Sequence, residues 1–508
     1  MATETTGPVK LVLSKEQAGV RLTALVDQGE GLRATTRWSE EAKEAAEQWQ
    51  HEVSHFLGIA FSDDRFKREF DAVFDHTWSD DTDERYFGHF VKTRLHLLRP
   101  IARSVKAGEV REVGTVEAAA APEPEVGPAE PSFPLPTPPL TEVRLKHFKA
   151  AFRPKAVKLR PFTVIIGRNG SGKSTLLEAL QWIDSTMRDH AMKACERYLG
   201  VQDLLNLRAT GSPRSFSIEC RWKEHGVVPF RYAVVVEEDS DGTTPRIVEE
   251  SLVTGIKNPI TLFSGPDSSD RLALARLSRG APAKIREFWR RAVFLRLNPS
   301  SLAEGSLPKR PSSAPILDEE GATLPALLSE LTDDQRESLV KLVQDVLPGM
   351  RGVEVSKPRG GRSERVHYEL LEEMKYKGRA GQKTFPIPAW MLSEGTRRLT
   401  AILALLVREP APSLLCIEEV ENGLDPWAVR ILLRHLREAS ERGIQIIVTT
   451  HSPWVLDEVG LDDIILVRRV KGDSAYEAFS EVAAVQAFRP NIPAGTRYTH
   501  LVENEDDA

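Results

Sequence analysis

The chain has 508 residues, of which 41% are hydrophobic and 28% charged, with a formal net charge of -6. This balance excludes a disordered or fibrous chain, and the length exceeds what one hydrophobic core supports, so two domains are expected. The charge offers nucleic acid no global attraction, and a DNA contact would need a local basic surface.

Residues 1–105 read as a small helical module. Ser39 can cap a helix that carries Glu40 and Glu41 in its first turn and Trp49, Val53, Phe56, Leu57 and Ala60 at helical spacing. A second helix is expected from Ser62, with Asp63 and Asp64 in its first turn and Phe66, Phe70, Val73 and Phe74 on one face. His51-Glu52-Val-Ser-His55 matches the zinc-protease pattern HExxH, with two histidines one turn apart. The longer motif's third ligand position is Phe61, however, and packing through Trp49, Val53, Phe56 and Leu57 accounts for the same helix. It is read as an amphipathic helix; a zinc site would need His76, His89 or Glu84 as its missing ligand. The acidic stretch Asp80 to Glu84 and the tail ENEDDA read as exposed segments. Residues 106–140 turn to Ala, Glu, Val and Pro, with eight prolines between Pro122 and Pro139, and read as a semi-extended linker.

Residues 141–508 alternate β-like runs (FTVIIG, SLLCIEE, QIIVTTH) with helical patterns, the layout of an α/β domain. Gly167-Arg-Asn-Gly-Ser-Gly-Lys-Ser-Thr175 follows the strand FTVII and opens the helix TLLEAL. Glycines there let successive N–H groups point at phosphate oxygens, and the helix N-terminus adds partial positive charge. The binding residues expected are Gly167, Asn169, Gly170, Ser171, Gly172, Lys173, Ser174 and Thr175, with Lys173 on the β- and γ-phosphates of ATP and Ser174 on Mg²⁺. About residues 221–388 form an inserted lid or arm whose strand order cannot be read, although Thr332-x-x-Gln335 opens a clear helix to Leu347. Within it, Arg271, Arg276, Arg279, Lys284, Arg286, Arg290, Arg291 and Arg296 face a single acid, Glu287, with Phe288 and Trp289 interleaved. That run is either a solvated face or a surface for DNA phosphates.

Ser393-Glu394-Gly395 then precedes a long apolar helical run and makes a second anion cradle, which one head does not need and two heads would. The strand LLCI ends in Glu418 and Glu419, where adjacent acids can divide the work: Glu418 for the magnesium shell, Glu419 for the attacking water. The strand QIIVTT delivers His451 to the C-terminal edge of the sheet, where ligands gather. Cys195, Cys220 and Cys416 lie far apart, which fits a reducing compartment, and no run reaches the roughly 18 apolar residues of a membrane span. A cytoplasmic protein without a membrane partner is expected.

The order of phosphate loop, LSEGTRRL, LLCIEE, ENGLDP and VTTHSP resembles the ABC-type ATPase heads of the SMC and RecF branch, and more closely the OLD-like and AbiEii-like stand-alone ATPases. The resemblance covers about residues 141 to 470. It implies that Ser393 and Gly395 bind the γ-phosphate held by a partner head, and that Asn422 to Asp425 form the D-loop crossing the dimer seam. It also implies that His451 senses the γ-phosphate and that His147, Phe148 and Lys149 lie beside the nucleotide. The sequence departs from the family with Glu418 for the first Walker B aspartate and Glu394 for a signature glycine; Gln202 is the weak candidate for the Q-loop. The insertion of about 220 residues between phosphate loop and signature has no sustained heptad, so an SMC arm is not expected. The function expected is ATP binding and hydrolysis by a dimerising head, in a bacterial defence or DNA-maintenance ATPase controlling a separate effector such as a nuclease. The alternative is an ATP-switched regulatory or scaffold protein acting on protein partners without nucleic acid.

Overall fold

A computed structural model of the chain describes most of residues 137–506, apart from short stretches such as 209–213, 224–228, 357–364 and 375–382. In the N-terminal third it describes residues 15–33 and helical positions between 46 and 57 and between 91 and 105. The chain divides into two compact units, Met1–Glu130 and Pro131–Ala508.

In the first unit the helix Lys15–Arg33 buries Ala18, Leu22 and Leu25 against Trp49, Val53, Phe56 and Leu57, and against Val91, Leu95 and Leu98. The Trp49 indole, fully buried, donates to the Leu25 carbonyl at 2.8 Å. Of the apolar positions read as helical, Trp49, Val53, Phe56 and Leu57 thus lie in a core, and Ala60 lies outside the described residues. His51, His55, His76, His89 and Glu84, the start at Ser39 and the helix from Ser62 lie outside the described residues, as do 106–136 of the linker.

In the second unit the strands are β1 (Leu140–Lys146), β2 (Val157–Lys158), β3 (Phe162–Ile166), β4 (Ser215–Trp222), β5 (Phe230–Glu238), β6 (Pro245–Thr254) and β7 (Ile260–Ser264). They continue as β8 (Ala292–Leu295), β9 (Met350–Ser356), β10 (His367–Glu373), β11 (Thr384–Pro388), β12 (Leu414–Ile417), β13 (Gln445–Thr450), β14 (Ile464–Val470) and β15 (Asp473–Ala478). The central sheet has the order β15-β14-β3-β13-β12-β8, parallel except for β15. β3, β8, β12 and β13 are buried along their whole length because both faces of the sheet are covered there. Alternation along each strand sorts the residues into two cores. Phe162, Val164, Ile166, Leu415, Ile417, Ile446 and Val448 point to one, which holds the helices Glu394–Val407 and Pro426–Glu441. Ile165, Leu414, Cys416 and Ile447 point to the other, which holds the helix Lys173–Arg188 and the antiparallel sheet β2-β1-β4-β5-β6-β7. The Gln445 amide joins the two sheets, accepting from Leu140 N at 2.8 Å and donating to Leu140 O at 2.6 Å.

Residues 221–388, expected as one insertion, are shared among three sheets. β4 to β7 extend the antiparallel sheet, β8 is an edge of the central one, and only β9 to β11 form a sheet of their own. The helix Asp333–Gln344 starts at the expected capping box: Thr332 Oγ1 accepts from Gln335 N at 3.3 Å, and Gln335 Oε1 from Thr332 N at 3.0 Å. Among the described residues no helix is long and apolar enough to cross a membrane.

Candidate active site

Parallel pairing brings the C-terminal ends of β3, β13, β12 and β8 to one edge, with Ile166 opposite Thr450 and Ile417 opposite Leu295. The phosphate loop, His451, Glu418 and Arg296 therefore emerge side by side. The loop turns at Gly172, whose φ of 107° lies in the left-handed region, and a Cβ there would run into Ser474 Oγ. Ser474 Oγ donates to Ser171 O at 2.7 Å and the Tyr476 hydroxyl to Gly172 O at 2.8 Å, so β15 buttresses the loop from behind. Lys173 Nζ donates to Gly167 O at 2.7 Å and Arg168 O at 3.2 Å. Ser171 Oγ is buried without a hydrogen-bond partner among the described residues, while Ser174 is exposed.

Burial pulls the Lys173 amine below its ordinary range, and Glu419, Glu421 and Glu418, in that order, oppose the shift. Those acids define the anionic wall of the site. Glu418 donates its N–H to Leu295 O at 2.8 Å, and burial pushes its carboxyl above the usual range despite Arg296 at 4.0 Å. Glu419 has φ +48°, a left-handed conformation that costs a non-glycine residue about 1–2 kcal/mol. Its carboxylate lies 3.3 Å from His451 Nε2 and accepts from the Asn422 amide. Glu421 holds the segment that carries His451: Oε1 accepts from His451 N at 2.7 Å and from Ser452 N at 3.1 Å. Reading the sequence missed Glu421, Ser474 and Tyr476. A third acid in EEVEN was the only hint of the first, and the others act across some 300 residues of chain.

Residues 294–457 match the family described as "AAA domain, putative AbiEii toxin, Type IV TA system", and residues 142–190 match a second AAA-domain family. Among curated proteins, the energy-coupling factor transporter ATP-binding protein EcfA of Methanococcus maripaludis is 26% identical over 122 residues, 23% of this chain and 43% of that protein. EcfA2 of Mycoplasmopsis synoviae is 32% identical over 100 residues, 19% of this chain and 30% of that protein. The chain is similar to ABC-type ATPase heads. It spans less than half the length of either relative. Similar solved structures include the SMC head domain from Thermotoga maritima (19% identity, TM-score 0.39, 67% of this chain and 98% of that one). Another is the Smc head with an extended coiled coil bound to the C-terminal domain of ScpA, from Pyrococcus furiosus (15% identity, TM-score 0.42, 73% and 100%).

The segment expected as the signature packs on the one expected as the D-loop. Ser393 caps the helix Glu394–Val407, its Oγ accepting from Thr396 N at 3.2 Å. A Cβ at Gly395 would run into Gly423 O, so only glycine lets these two backbones meet. Asp425 caps the next helix, with Oδ1 accepting from Trp427 N at 2.9 Å and Ala428 N at 3.1 Å. Lys149 pairs with Glu178 at 2.7 Å, and Phe148 is buried edge-on against Phe216. Gln202 lies in a short turn, Val201–Asp203, that is tied to Lys149, whose N–H donates to Leu204 O at 2.8 Å. In the basic run Phe288 and Trp289 are buried and Arg290 and Arg291 pair with Glu287 at 2.8 and 3.2 Å, whereas Arg271, Arg276, Arg290 and Arg296 are exposed.

Proposed function

We propose that the head binds ATP with Mg²⁺ and hydrolyses it in composite sites formed between two heads. The observation that carries this reading is the meeting of Lys173, Glu418, Glu419 and His451 at one sheet edge. The residues present fit the ligand: Lys173 gives two of its three donors to loop carbonyls, and the buried Ser171 hydroxyl lacks a partner among the described residues.

In this reading the N–H groups from Asn169 to Thr175 cradle the phosphates, and Lys173 turns from its carbonyls to the β- and γ-phosphates. The Ser174 hydroxyl and the Glu418 carboxylate would hold Mg²⁺, which would offset phosphate charge in the transition state. Glu419 takes the proton of the attacking water, and His451, held through its backbone by Glu421, contacts the γ-phosphate. Ser393, Gly395 and Asp425 serve the nucleotide of the facing head. The wider role we propose is that of a defence or DNA-maintenance ATPase controlling a separate effector, supported by the likeness of residues 294–457 to the AbiEii-like family. The alternative, a switch acting on proteins alone, is favoured by one observation: the aromatics of the basic run are buried and offer nucleic acid nothing to stack on.

Steady-state ATPase of wild type and Glu419→Gln, with and without linear duplex DNA, tests both levels. Glu419→Gln is expected to keep nucleotide binding and lose turnover by about 10²–10⁴-fold. Turnover at the wild-type rate would refute the assignment of Glu419. A DNA-indifferent rate would leave the protein-only switch.

A further inference from the structure

Arg398 is the buried cation of the site that the proposed chemistry does not use. It lies on the helix Glu394–Val407, about one turn beyond Ser393, and only 3% of it is exposed. A guanidinium taken out of water is costly unless its donors are satisfied. Here two of them meet main-chain carbonyls rather than a carboxylate: Nη1 donates to Leu297 O at 3.0 Å and Nη2 to Glu419 O at 3.0 Å. The second carbonyl belongs to the residue with the left-handed backbone. Such a conformation persists only where its surroundings over-determine it. Glu419 is held on both sides, its N–H donating to Thr449 Oγ1 at 3.0 Å and its carbonyl also accepting from Asn422 N at 3.0 Å. Thr449 belongs to β13 and Asn422 to the D-loop; Arg398 alone among these ties comes from the signature helix.

We propose that Arg398 is a positioning residue that makes the orientation of the Glu419 carboxylate depend on the placement of the signature helix. The inference rests on the ATPase reading given above. A helix is stiff along its axis, so a phosphate engaging Ser393 and Gly395 at its first turn shifts Arg398 with it, and Arg398 carries the shift to the Glu419 peptide. The phosphate read by that signature belongs to the facing head's nucleotide, whereas Glu419 acts on the nucleotide of its own loop. ATP in one composite site therefore licenses hydrolysis in the other, and turnover rises cooperatively with ATP concentration.

The test compares wild type, Arg398→Lys, which keeps charge but loses the fork, and Arg398→Gly, which opens a guanidinium-sized space. Full-length protein is assayed for ATPase, for binding of a fluorescent ATP analogue, and for thermal unfolding. Arg398→Lys is expected to lower kcat by about 10–100-fold through misplacement of Glu419, with analogue affinity and melting temperature close to wild type. The Hill coefficient for ATP is expected to fall toward one, and millimolar guanidinium to restore much of the rate of Arg398→Gly. An unchanged kcat in Arg398→Lys overturns the proposal. So does a loss of binding and melting temperature in both variants that guanidinium does not repair, which would make Arg398 a structural residue only. A wild type without Glu419-dependent turnover sinks the ATPase reading itself, and this inference with it.

Discussion

Burying a carboxylate costs free energy until a cation faces it, and for Glu418 the guanidinium of Arg296 at 4.0 Å offsets only part of that cost. A carboxyl whose folded pKa is raised has no effect below its unfolded value of about 4.3, weakens the fold increasingly as pH rises above that, and does so in full once pH exceeds the raised value. Glu418→Gln is therefore expected to raise the unfolding temperature of nucleotide-free protein near neutral pH. The gain should shrink to nothing as pH falls through the carboxyl range. With ATP and Mg²⁺ the order should reverse, because only wild type gains a metal ligand. Calorimetry across pH checks this, and a variant less stable than wild type without nucleotide would contradict it. In the proposed reading that same carboxylate is an oxygen ligand of the magnesium ion.

At the scale of elements, one side chain from another layer fastens the chain that leads into the edge strand β8. Arg188, at the end of the helix Lys173–Arg188, donates to the carbonyls of Trp289, Arg290 and Ala292 at 3.1 to 3.2 Å while pairing with buried Asp184 at 2.9 Å. Arg188→Met leaves Asp184 without its counterion and is expected to cost about 3–5 kcal/mol of stability, read as a lower urea midpoint. The double variant Asp184→Leu, Arg188→Met should recover part of that loss; no recovery would mean that the carbonyl contacts, not the ion pair, carry the energy. β8 also shows where sequence reading ends. The strands before the phosphate loop, Glu418 and His451 were legible because long apolar runs ended in chemically distinctive residues. The capping box at Thr332 was legible because it closes within four residues. Ala292–Leu295 has four apolar residues, no alternation and a partner more than a hundred residues away, so nothing local marked it as part of the central sheet. β4, with its alternating burial, is recognisable as a strand, but its pairing with β1 across the loop and its helix is not. Arg398 was hidden for the same reason: an arginine in a helix reads as solvated until the fold closes around it.

At the scale of the whole molecule, the site residues all fall within Pro131–Ala508, one of the two compact units. We expect a fragment of residues 131–508 to bind ATP and Mg²⁺ by itself. A nucleotide present at 100 times its Kd should stabilise that fragment by about 2.7 kcal/mol, seen as a shift in its melting temperature. A fragment that melts at the same temperature with and without nucleotide would mean that residues 1–130 are needed for the site. The central sheet sets a further condition on this unit. Because β3, β12 and β13 feed two cores by strict alternation, deleting a single residue inside 162–166, 414–417 or 445–450 would exchange the two sets of side chains beyond the deletion and turn half a strand inside out. Side chains in these strands can be swapped for others of like volume, but their length cannot drift. Changes in chain length have to accumulate in the connections, and the distance between the phosphate loop, Glu419 and His451 along the sheet edge is protected from them.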